Sequence, residues 1–467
     1  MIASGSFTKE KMRKKRMIKE RLFWTWDHST NWCVNTPGAQ NCGVGNEYMK
    51  NPEMFVLDYK RAIDFCAAHK MTAIGIVGLL RDRHGGVESA REICAYARNK
   101  GIKVYIIAGL FAYGGIYYEG DHKYSLDKFF EKNPEAIAQK DDGSPVIKAF
   151  IGRGGCKKQY QGCASNAALH DFVLESLDWL FREIPELGGI QMESSDTGVC
   201  SCPACKRRRG TESLEEPISL ADMAAIYPDA ARTVRAASPD ALVICETYHH
   251  FLDEACSLFG KKNSSGDLAR LLEMPKDIYW QWKCDKMIRT GAWPLGAPMI
   301  ENLQGFRHVM RSHTGTQWWG GRHTLGIELI RRQCLLSYES GFDAVSMFGE
   351  TSPFHTNAEF NYLALEYFAD HPHASVMNFA EDVMAPRLGG FANAKKWGEY
   401  ASLYREAEKI PAAVMDVAKI AAECRDLETV RRWQYLGNFL NSYLYEIEAG
   451  GKIENMCPHD ADRPDLF

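Results

Sequence analysis

As far as Glu350 the chain alternates between two hydrophobic periods. Short runs with period two predict strands at Phe23–Asp27, Thr72–Gly78, Lys103–Leu110, Gly189–Glu193, Ala241–Thr247, Ile278–Lys283, Arg307–His313 and Asp343–Glu350. Spacings of three and four predict helices at Phe55–His69, Val87–Lys100, Ala167–Ile184, Leu220–Ala237 and Thr324–Ser340. In the first of these, Val56, Tyr59, Ile63 and Cys66 share one side. Eight strands with helices in most gaps predict a parallel sheet, and at this size a closed (β/α)8 TIM barrel of the α/β class. A doubly wound sheet competes with it, but no Gly-rich dinucleotide turn follows the first strand. The stretch Phe111–Ser165, rich in Gly and Tyr, is too long for an ordinary connection. It is expected to bring Tyr117, Tyr118 and His122 to the barrel mouth. From Asn361 onward the pattern is helical, over Ala394–Glu408, Pro411–Glu423 and Leu427–Glu448. These limits divide the chain into a flexible basic extension (1–20), a barrel (21–360) and a C-terminal helical region (361–467) that caps the barrel or mediates homo-oligomerisation.

In a TIM barrel the reacting groups stand at the C-terminal strand ends, and those ends are polar here. The first strand runs into Trp26-Asp-His-Ser-Thr-Asn-Trp32, the fourth ends in Gln191-Met-Glu193, and the fifth runs Glu246-Thr-Tyr-His-His250. Alternation puts Gln191 and Glu193 on one face of the fourth strand, and Ile190 and Met192 on the other. Gln281 with Lys283, Arg311 with His313, and Ser346 with Glu350 pair in the same way. A single strand-end Glu is more often a salt-bridge partner than a catalyst. Four carboxylates on one rim (Asp27, Glu193, Glu246, Glu350) would repel one another unless function required them or cations balanced them. With Trp and Asn side chains beside them, they suit a sugar, whose hydroxyls need polar partners and whose C–H faces stack on rings. The implied chemistry is glycoside hydrolysis by two carboxyl groups.

Composition changes this picture little. The chain has 467 residues, 45% hydrophobic and 25% charged, with a net charge of -4, so no nucleic-acid or membrane partner is expected. The basic run Lys9–Arg21 reads as a solvated extension rather than a nucleic-acid arm, and no apolar segment follows it, so no signal peptide is expected. Most of the fifteen cysteines are scattered through predicted strands and helices, which fits free thiols in a reducing, cytoplasmic setting. Cys200-Ser-Cys202-Pro-Ala-Cys205 differs from these. Three thiols in one loop, with Cys163 or Cys156 as a fourth, match a structural zinc site; free thiols and a redox role are the alternatives.

The fourth-strand acid followed by a cysteine knuckle, Glu193…Asp196…Cys200-x-Cys-x-x-Cys205, resembles bacterial TIM-barrel glycoside hydrolases over roughly Leu22 to Glu350. No Asn-Glu pair ends the fourth strand, no Glu ends the seventh, and the Asp-Glu dyad of hexosaminidases is absent in that order. A remoter likeness is to inverting TIM-barrel sialidases, whose catalytic Asp follows the first strand, as Asp27 does; His122 would then be their His, and Arg153 or Arg311 would hold a sugar carboxylate. The resulting expectation is a glycosidase that releases a terminal sugar. Glu193 is its general acid, and Asp27 or Glu350 its base or nucleophile. Trp26, His28, Asn31, Trp32, His122, Asp196, Glu246, His249, Trp282, Lys283, Arg311 and His313 contact the carbohydrate. No organic cofactor is expected. Two other classes remain open: a metal-dependent isomerase, lyase or amidohydrolase with Glu246, His249, His250 and His313 as ligands, and a non-catalytic carbohydrate-binding barrel.

Overall fold

The structure, a computed structural model, describes residues 18–28, 30–33, 50–152, 155–193, 197–210, 219–247, 270–290, 305–315, 325–354, 357–403 and 406–450. Ten strands are described: β1 (Glu20–Trp26), β2 (Ala73–Val77), β3 (Lys103–Gly109), β4 (Ile147–Gly152), β5 (Gly155–Tyr160), β6 (Gly189–Glu193), β7 (Leu242–Glu246), β8 (Tyr279–Lys283), β9 (Arg307–Gly315) and β10 (Ala344–Phe348). Eight of them close a parallel barrel in the order β1-β10-β9-β8-β7-β6-β3-β2, which is the expected TIM barrel and excludes the doubly wound sheet. Each expected strand is present within a few residues. The period-two pattern sorts side chains as it should. Leu22, Trp24, Ala73, Tyr105, Leu242, Ile244, Tyr279, Val309, Ala344 and Phe348 fill the interior. Ile74, Ile76, Ile190, Met192, Val243, Cys245, Val345 and Met347 face the helices. Gly75 leaves the room that the Tyr105 ring fills: a Cβ there would lie 2.3 Å from the ring.

The helices Pro52–Ala68 and Ala167–Glu183 start where Asn51 and Asn166 accept the backbone N–H groups of Met54 and Leu169. Leu220–Ala237 is two helices, Leu220–Ala224 and Tyr227–Ala237, and Pro228 sits in the first turn of the second, where its missing N–H costs nothing. The Phe111–Ser165 stretch is more ordered than its composition suggests. It contains an antiparallel hairpin, β4 with β5, and the short helix Leu126–Lys132. The helix Ala358–Asp370 crosses the boundary expected at residue 360 and packs on the barrel through Tyr362, 4.7 Å from the Phe23 ring and stacked on Trp32 at 5.8 Å. Beyond it, the helices Phe391–Ala401, Ile410–Glu423 and Leu427–Glu448 form the C-terminal region, joined in part by Trp397 against Trp433 at 5.2 Å. No helix among the described residues is long and apolar enough to cross a membrane.

Candidate active site

The polar side chains that parity places inside the barrel gather toward its C-terminal end. On β6, Gln191 donates to Glu193 Oε1 at 2.5 Å, and Glu193 is only 4% exposed. On β7, Glu246 accepts from the Gln281 amide of β8 and lies 3.5 Å from Arg311 of β9. The Arg311 guanidinium lies 5.2 Å from the Trp24 ring, so its charge is balanced by a carboxylate and an aromatic face. Tyr227, at the head of its helix, donates to the carbonyls of both Met192 and Glu246 at 2.9 Å and holds the ends of β6 and β7 together. Glu350, also buried, accepts the Trp26 backbone N–H at 3.0 Å. Trp26 meets Tyr113 and Tyr118 edge to face, each at 6.4 Å.

Asp27 is placed differently. It is fully buried, and both of its oxygens are engaged: Oδ2 by Arg81 Nε at 2.7 Å and His84 Nε2 at 2.8 Å, Oδ1 by His28 Nδ1 at 3.1 Å and Arg81 Nη2 at 3.2 Å. Burial alone would raise this carboxyl. The Arg81 charge, then hydrogen bonds from His28 and His84, hold it well below the usual carboxylate range instead. Arg81 reaches on to Glu119 and lies 4.4 Å from the Tyr118 ring centre. Behind Asp27, the buried Lys50 donates to its carbonyl at 2.6 Å and pairs with Asp58 at 3.2 Å. Gly78 is required here, since it has φ +78 and a Cβ would lie 2.6 Å from the Asp27 carboxyl carbon. Asp27 is therefore a fixed anion.

His313 of β9 is oriented by Asp285, which starts the helix Asp285–Thr290. Asp285 accepts the His313 backbone N–H and its Nδ1, both at 2.7 Å. Burial lowers the imidazole below its ordinary value against the pull of Asp285, so it is neutral at pH 7. Arg81, His84, Asp285 and Tyr227 were not among the sequence candidates. Arg81 and His84 stand just past the end of β2, so the strand-end rule that flagged Asp27 would have reached them.

Other expected contacts lie elsewhere. Trp282 is fully buried on the helix-facing side of β8, with Nε1 donating to His308 at 3.2 Å, because it alternates with the inward Gln281. Trp32 likewise faces Tyr362 and Phe65 outside the barrel. His122 stacks on Tyr117 at 4.4 Å and packs against Trp179 of an outer helix at 4.6 Å. Of the three residues expected at the mouth, Tyr118 alone joins the interior cluster; Tyr117 belongs to the outer core. The imidazoles at Asp27 are His28 and His84, which removes the basis of the sialidase mapping. Asn31 is buried and bridges to Thr351 beside the Glu350 carbonyl, and Lys283 is half-buried. Asp196, His249, His250 and Arg153 lie outside the described residues. Glu246 and His313 belong to none of the described groups able to hold an ion.

The group that does is the thiol cluster Cys163, Cys200, Cys202 and Cys205, with all four sulfurs within 4.8 Å of one another. Cys200 and Glu193 line one cavity of about 30 Å³, room for a water, together with Gln161, Ser219, Asp222 and Tyr227.

No protein-family model matches the chain, and no curated protein matches it. Several solved glycosidase structures are similar to it. The ligand-free cyclic α-maltosyl-(1→6)-maltose hydrolase from Arthrobacter globiformis is 12% identical, with 78% of this chain and 84% of that one covered, at a TM-score of 0.44. An α-amylase from Lactobacillus plantarum is 8% identical over 78% and 82%, at 0.43. A family 20 β-N-acetylglucosaminidase is 12% identical over 75% and 69%, at 0.40.

Proposed function

We propose that the protein is a glycoside hydrolase that releases a terminal sugar from an oligosaccharide or glycoconjugate, with Glu193 as general acid. The observation that carries this reading is the placement of the inward carboxyl groups. Asp27 and Glu246 face guanidinium groups, and Glu193 accepts a hydrogen bond from the Gln191 amide and lines a cavity. A general acid must reach the leaving-group oxygen, and Glu193 lines a cavity past the end of β6. Both Asp27 oxygens are engaged, which supports a fixed negative charge that stabilises the oxocarbenium-like transition state. Glu350 is then the base or nucleophile. Trp26, Tyr113 and Tyr118 supply ring faces for the sugar, and Arg311 and His313 supply polar contacts. Each of the eleven described cysteines is free of a disulfide, which supports a reducing, cytoplasmic setting.

A panel of chromogenic aryl glycosides tests the reading. Release of the aglycone by the purified full chain is expected for at least one sugar. Binding of sugars with no turnover anywhere in the panel would instead identify a non-catalytic carbohydrate-binding barrel.

A further inference from the structure

We propose that Cys163, Cys200, Cys202 and Cys205 bind one zinc ion as a closed four-thiolate site that fixes the wall beside Glu193. Zn–S bonds of about 2.3 Å in a tetrahedron require sulfur–sulfur edges of about 3.8 Å. Cys163 Sγ stands 3.7 Å from Cys202 Sγ and 3.6 Å from Cys205 Sγ. Disulfide sulfurs sit about 2.05 Å apart, and all four residues are free cysteines, so the cluster is not a pair of bridges. The surroundings favour thiolates. The Gln139 and Cys202 backbone N–H groups point at Cys200 Sγ at 3.5 and 3.4 Å, and that of Cys205 points at Cys202 Sγ at 3.5 Å. Arg208 Nη1 lies 4.0 Å from Cys205 Sγ. On binding, the four thiols give their protons to solvent and leave a dianionic centre, which the basic run Lys206–Arg209 offsets.

The ion does two things. It joins the segment before the helix Ala167–Glu183, which carries Cys163, to the segment after β6, where Cys200 precedes the helix Pro203–Arg209, Cys202 is its N-cap and Cys205 lies within it. It also sets the position of Cys200, which shares the cavity with Glu193. This second consequence rests on the glycosidase reading; the metal site itself does not.

The test measures zinc and turnover separately on the purified full chain. Wild type and Cys156→Ser should each contain about one zinc equivalent, and cobalt in its place should show thiolate charge-transfer and tetrahedral bands. Cys163→Ser should lose zinc to a chelator at least about tenfold more readily and melt at a lower temperature. If Cys163→Ser does not fold, modifying wild type with a mercurial in the presence of a chromogenic chelator gives the same answer: one zinc should be released as four thiols react. Zinc-free wild type, or zinc lost in Cys156→Ser and kept in Cys163→Ser, overturns the assignment. Protein that holds zinc but hydrolyses no glycoside leaves this site standing and overturns the glycosidase reading alone.

Discussion

Replacing Arg81 by Met should destabilise the protein by about 3–5 kcal/mol, because it strands a buried carboxylate. Met keeps the aliphatic length beside Tyr118 but removes the two contacts to Asp27, at 2.7 and 3.2 Å. Asp27 is fully buried, so water cannot take over from the guanidinium. Its remaining side-chain partners, His84 and His28, are imidazoles that each donate one hydrogen bond, which places the expectation at the lower end, about 3 kcal/mol. Glu119 is partly solvated, and losing its pair adds little. The pH dependence follows from the direction of the shift. In wild type the folded-state carboxyl lies well below its ordinary value of 3.8, so its contribution is present above that pH and is lost only as pH falls toward the folded value. Without Arg81, burial dominates and the folded value rises above the unfolded one, so folding takes up a proton as pH falls. The deficit of the variant should therefore be largest at pH 7 and shrink toward pH of about 4.5. Urea unfolding followed by tryptophan fluorescence, on wild type, Arg81→Met, Asp27→Asn and the double variant, measures both quantities. A coupling energy below about 0.5 kcal/mol, with equal deficits at the two pH values, would refute the picture of Asp27 as a charge-compensated anion.

Two further outcomes are expected. Gly189→Ala should cost about 1–3 kcal/mol by overpacking, because its Cβ would lie 2.2 Å from the Leu242 carbonyl oxygen across the β6–β7 seam; an unchanged urea midpoint would contradict this. Asp285→Asn would present an amide N–H to His313 Nδ1 and force the other tautomer, which should raise KM by about tenfold with kcat nearly constant, the worth of one hydrogen bond; steady-state kinetics with unchanged KM would remove His313 from the sugar contacts.

The barrel was legible because a strand's period is two, and parity alone assigns Gln191 and Glu193 to the interior and Ile190 and Met192 to the helices. The same rule assigns Trp282 to the outside, opposite Gln281, so its expected place among the sugar contacts went against information the sequence contained. Trp32 and His122 are another matter. Each lies in a loop, where no period fixes direction, and each found an aromatic partner on an outer helix. Arg81 and His84 meet Asp27 across more than fifty residues, and Asp285 meets His313 across 28, contacts created by the pairing of the neighbouring strands β1 with β2 and β8 with β9. The hairpin β4–β5 was hidden because Gly152, Arg153, Gly154 and Gly155 dominate its centre and read as an irregular loop rather than a turn between strands.

The leaving-group dependence of Glu193→Gln tests the central claim most directly. Gln keeps the shape of the side chain and its place beside Gln191 but cannot deliver a proton. The account predicts that turnover on glycosides with poor, unactivated leaving groups falls by roughly two to four orders of magnitude. Aryl glycosides whose leaving groups need no protonation should be hydrolysed at rates much closer to wild type. Equal losses on both substrate types, or no loss on the unactivated one, would contradict Glu193 as the general acid.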